Sequence, residues 1–172
     1  GRTLRTTSSV LRSTPPPRSR KPSPRAAVEP VAAPEPPEAV APEPTAAELL
    51  AQANELRRAG AYQEASERYR ELQGRYAGSR EALVSRVTLG RLLLERLGDA
   101  PGALELFDGY LAATPDGTLA EEAWVGRALA LQRLGRTQDE RAAWTTLLSR
   151  FPGSAHAERA RQRLGEMVGA EP

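Results

Sequence analysis

The sequence predicts an all-α protein: an α-solenoid of three helix-turn-helix repeats and a C-terminal capping helix, preceded by a disordered proline-rich tail. Three observations predict it. A 22-residue pattern returns without gaps in three copies, starting at residues 58, 96 and 133. Apolar residues recur at helical spacing on both sides of a glycine in every copy, and the composition changes abruptly near residue 44.

The tail comes first along the chain. Eleven of the fifteen prolines lie in 1–44, a stretch without Phe, Tyr or Trp, so it cannot bury enough apolar surface to offset its ordering entropy. It divides by charge into a basic part, 1–25, with six Arg and Lys21, and an acidic part, 26–44, with four Glu. The remainder, 45–172, carries 17 Arg against 18 acidic residues, so the net charge of +2 does not imply a basic folded surface. Extended spacing is the default role for such a tail, with a weak SH3-type ligand or a cationic arm on anionic lipid or nucleic acid as the alternatives. Nucleic acid is not an expected partner, because no aromatic lies among the basic residues to stack on a base.

The three copies are "RAGAYQEASERYRELQGRYAGS" (58–79), "RLGDAPGALELFDGYLAATPDG" (96–117) and "RLGRTQDERAAWTTLLSRFPGS" (133–154). Aligned, they place Gly60, Gly98 and Gly135 in one column, then Ala65, Ala103 and Glu140, then Tyr69, Phe107 and Trp144, then Leu72, Tyr110 and Leu147. Glycine can enter the left-handed conformation that ends a helix, the small residue lets two helices approach, and the aromatic fills the space between them. Ala77, Pro115 and Pro152 close the copies beside turn formers, where a helix cannot continue.

These columns and their stripes predict helices at 45–58, 62–76, 80–97, 100–113, 118–134, 137–150 and 155–168. Capping-box spacing places helix starts at Thr45 with Glu48, Thr118 with Glu121 and Thr137 with Glu140, and Ser79 and Ser154 are further N-cap candidates. The second copy carries one extra residue between Gly90 and Gly98.

The pattern resembles the tetratricopeptide repeat (TPR), W-x2-L-G-x2-Y, then A-x3-F, then P. Trp124, Ala128 and Leu131 fall on its first-helix positions, and Gly135, Trp144 and Pro152 on its later ones. Glu140 and Ala77 depart from it. "RYAGS" and "RFPGS" are similar to the Tyr/Phe-Pro-x-Ser that ends repeats in bacterial envelope proteins, such as the β-barrel assembly lipoprotein and the Tol-Pal-associated division coordinator. The resemblance covers 45–168 and implies a scaffold that binds a protein or peptide segment in its concave face, on the periplasmic side of the cell envelope.

Carried onto this chain, the groove positions are Ala47, Leu50, Asn54, Arg57 and Arg58 in the first copy, and Arg91, Glu95 and Arg96 in the second. The third contributes Glu122, Val125, Leu129, Gln132 and Arg133. Arg58, Arg96 and Arg133 share a column two residues before the glycine, where they would form a ladder for carboxylates or simply complement the negative end of a helix.

Chemistry is harder to find. His156 is the sole histidine and reads as a solvated surface residue, no phosphate loop with Lys and Ser/Thr occurs, and cysteine is absent, so no enzyme activity, cofactor or metal is expected. No apolar run approaches a membrane span. The first residue is Gly, which leaves room for an upstream anchor and for a second reading: a sensory or assembly module of a larger membrane-anchored or regulatory protein of kinase or sigma-regulator type, without a groove ligand. An Arg-rich stretch after such an anchor would favour a cytoplasmic location instead.

Overall fold

The computed structural model describes residues 43–169, all-α, with seven α-helices and no strand among the described residues. The expectation of disorder over 1–44 lies outside them except at its last two residues. Those two are fixed: Glu43 pairs with Arg75 at 2.5 Å, and the Pro44 carbonyl accepts from the Tyr76 hydroxyl at 2.7 Å.

The helices are α1 (Ala46–Arg58), α2 (Tyr62–Arg75), α3 (Arg80–Leu92), α4 (Ala100–Ala113), α5 (Ala120–Arg133), α6 (Thr137–Arg150) and α7 (Ala157–Gly169). Each packs against its neighbours in sequence, and α3 also touches α1 and α5. Tyr69, Phe107 and Trp144 are wholly buried, as are Ala65, Ala103, Leu72 and Leu147, so the aligned columns form the interior. One continuous apolar cluster runs from Ala53 to Met167.

Gly60, Gly98 and Gly135 all take positive φ, at 80°, 71° and 68°. After each, a backbone N–H reaches back to close the helix end: Ala61 to Leu56 at 2.9 Å, Arg136 to Leu131 at 3.0 Å and Asp99 to Leu93 at 3.0 Å. The last bond spans one residue more than the others. That residue is the insertion of the second copy, absorbed by a π-helical segment, Leu93–Leu97, between α3 and Gly98. The copies then end on equivalent turns, with Ser79 N–H bonded to Tyr76, Gly117 to Thr114 and Ser154 to Phe151 at 2.8, 3.0 and 3.0 Å.

Two helix starts follow the sequence expectation and three do not. At α1 the capping box is complete: Glu48 N–H donates to Thr45 Oγ1 at 3.3 Å, and Thr45 N–H to Glu48 Oε2 at 2.7 Å. Ser79 caps α3 through Ala82 N–H at 3.0 Å. Thr118, however, lies in the turn before α5, whose N-cap is Leu119 with no side-chain bond. Thr137 is already inside α6, because Arg136 holds the cap position directly after the Gly135 corner. Ser154 accepts from His156 N–H at 3.0 Å and donates to Glu121 at 2.6 Å, tying the turn before α7 to α5 instead of capping α7.

Two carboxyls, Glu48 exposed and Glu71 half-buried, link folding to acid. The Thr45 backbone N–H holds Glu48 below its ordinary value, and Arg75, then Arg68, do the same for Glu71. Since both folded values lie below the unfolded 4.5, the stabilisation is present above that pH and lost as pH falls through the folded values. The wild-type melting temperature is expected to fall more steeply below pH 4.5 than that of Glu48→Gln/Glu71→Gln. Parallel melting curves would show that neither carboxyl is linked to folding.

Candidate functional site

The odd-numbered helices share a groove. Its larger compartment, about 510 Å³, takes Arg57 from the end of α1, Val87 and Arg91 from α3, Glu95 and Arg96 from the π-helical segment, and Glu122 from α5. Tyr62, at the start of α2, lines it as well. A smaller compartment of about 170 Å³ has the apolar surface of Leu94, Val125 and Leu129, and is edged by His156 and Arg159 beside the start of α7. Arg91, Glu95 and Glu122 belong to both compartments.

Local structure explains why these side chains meet. The π-helical segment widens the helix by one residue, and the turn carries Glu95 and Arg96 into the groove beside Arg91. Arg91 pairs with Glu95 at 3.5 Å, one helical turn on. The Arg96 guanidinium lies 5.4 Å from the Tyr62 ring centroid, within cation–π range.

The buried Tyr69 hydroxyl donates to Asn54 Oδ1 at 2.7 Å. Burial raises the Tyr69 pKa above its ordinary value, and the nearby positive charge of Arg57 acts in the opposite sense. Arg57 Nε is itself buried and donates to nothing in the structure.

Of the residues expected from sequence, Arg57, Arg91, Arg96, Val125 and Leu129 line the groove. Leu50 is half-buried and packs against both apolar clusters, Asn54 is committed to Tyr69, and Gln132 is half-buried outside both compartments. The arginine column takes three separate partners. Arg58 binds the Glu55 carboxylate, Arg96 covers Tyr62, and Arg133 donates to the Leu94 carbonyl. Only Arg96 among them faces a compartment.

His156 and Arg159 were missed as groove residues, although the repeat contains the signal. Continuing the 37-residue step from the second copy to the third by one more helix places Arg159 on the Glu122 position. His156 falls on Leu119 in the same way, and Leu119 also lines the larger compartment. The start of α7 thus supplies groove residues as α1, α3 and α5 do.

Among the described residues there is no group of His, Asp or Glu spaced to hold a metal, and no helix long and apolar enough to cross a membrane. In comparison with known proteins, the chain matches no protein-family model and no curated sequence.

Proposed function

We propose that residues 45–169 form a TPR-like α-solenoid that acts as a protein-interaction scaffold, binding a segment of a partner along the groove of its odd-numbered helices. The observation that carries this reading is the lining itself: α1, α3, α5 and α7 each contribute side chains to two adjoining compartments, the larger mostly charged and the smaller with apolar surface. A segment laid across them would contact successive repeats in turn, which is how a repeat array turns a periodic sequence into an extended binding face. The role is binding, with no catalysis or cofactor. The cell envelope is the compartment the repeat endings favour.

Photo-crosslinking in cells tests it. A photoreactive amino acid at position 129, in the groove, is expected to yield an adduct with a discrete partner protein. The same group at position 105, exposed on α4 and outside both compartments, is expected to yield none. Adducts from position 105 alone would place the binding face elsewhere, and the absence of any adduct would favour a module without a groove ligand.

A further inference from the structure

We infer that the groove selects a protein segment carrying carboxylates at one end and apolar side chains at the other, with the carboxylates seated at Arg57 and Arg96 and the apolar groups on Val125 and Leu129. This rests on the groove reading above and names the chemistry of its occupant.

Charge complementarity fixes the acidic end. Arg91 already answers Glu95 at 3.5 Å, but neither Arg57 nor Arg96 has a carboxylate partner among the described residues. Two cations therefore face the larger compartment with unfilled hydrogen-bonding capacity. Guanidinium groups meet carboxylates through paired, forked hydrogen bonds, and the groove partly excludes the water that would otherwise screen them.

Arg57 carries a second mark of an unfilled site: its Nε is buried and donates to no group among the described residues. A buried donor without an acceptor is costly, and a ligand carboxylate would supply the acceptor.

The acids Glu95 and Glu122 decide against a nucleic acid. Both line the two compartments, so a backbone with a phosphate at every step would meet them, whereas a polypeptide can place its charges selectively. The single ring in the larger compartment, Tyr62, is already covered by Arg96.

Fluorescence anisotropy with labelled peptides tests this on the full chain. The probes are three synthetic peptides of equal length, with two residues of Glu, Gln or Lys, respectively, separated by Ala-Ala and followed by Leu-Ala-Leu, and an oligothymidylate as competitor. The Glu peptide is expected to bind roughly ten-fold more tightly than the Gln peptide, with the Lys peptide weakest and the oligonucleotide not competing. Arg57→Gln should remove most of that difference while leaving Gln-peptide affinity unchanged, which a general loss of folding would not do. Arg70→Gln, exposed on α2, should change nothing.

Equal affinity for the Glu and Gln peptides, or displacement by the oligonucleotide, would overturn the inference. So would failure of the whole panel to bind. In each case the crosslinking result at position 129 still decides separately whether the groove binds protein at all. An Arg57→Gln variant with unaltered preference for Glu would overturn the inference as well.

Discussion

Arg163→Ala is expected to destabilise the helical domain by about 3 kcal/mol, although the arginine itself is partly exposed. The cost lies with its partner. Glu140 is 1% exposed and receives a fork from Arg163, Nε to Oε1 at 2.8 Å and Nη2 to Oε2 at 3.1 Å. The Trp144 indole N–H adds a third bond at 3.2 Å. Removing the guanidinium leaves a buried carboxylate with one donor, and such an uncompensated charge costs about 3–5 kcal/mol, here at the low end because water can enter beside Arg163. Glu140→Ala/Arg163→Ala is expected to be milder than Arg163→Ala alone, since alanine already fills the same column at Ala65 and Ala103. Urea unfolding measures both, and hydrogen exchange at the Ala160 amide should show α7 opening first. A single variant within about 0.5 kcal/mol of wild type would mean the fork adds no more than a surface pair.

Glu140 also shows where reading the sequence stops. Its spacing from Thr137 is that of a capping box, a signal that depends on four consecutive residues. In the structure the carboxylate turns inward to Arg163, 23 residues later, and cannot also bond the helix start. The tertiary partner outweighs the local one. At Thr118 the competing feature is the turn chemistry: Gly117 N–H bonds to Thr114 and Ala120 N–H to Gly117, at 3.0 and 2.9 Å, so α5 starts two residues late. Where no long-range partner competes, as at Thr45 and Ser79, the local signal is sufficient.

The helices were legible because glycine corners and apolar stripes are local and repeat three times, and each repeat reinforces the others. The groove was legible in outline for the same reason. Its details depend on the π-helical segment: the sequence reveals one extra residue before Gly98 but not whether a loop or a helix absorbs it. Because the helix absorbs it, Arg96 lies over Tyr62 and Arg133 reaches the Leu94 carbonyl. Three residues identical in alignment thus end in three environments.

Gly126→Ala should destabilise the fold by about 2–3 kcal/mol, against helix propensity, which on its own favours alanine by about 1 kcal/mol. A Cβ on Gly126 would stand 2.3 Å from Phe107 Cζ and 2.5 Å from Cε1, distances that no side chain tolerates. On the other side of the same ring, a Cβ on Gly90 would stand 2.9 Å from Cε1. Phe107 therefore occupies a slot between α3 and α5, with glycine on both walls, and neither wall can thicken without moving a helix. Phe107→Leu shortens the side chain, so the double variant should be more stable than the sum of the two single effects by about 1 kcal/mol or more. Gly74→Ala provides the contrast: nothing lies within 4 Å of its Cβ, so α2 should be unchanged or slightly more stable. Gly126 also belongs to the smaller compartment, beside Val125 and Leu129. Displacing α5 to make room for a methyl group would move that apolar floor away from α3, so peptide affinity should fall even at temperatures where Gly126→Ala remains folded. If stability falls while peptide binding is retained, the helix has yielded locally and the floor of the groove is independent of the Phe107 slot.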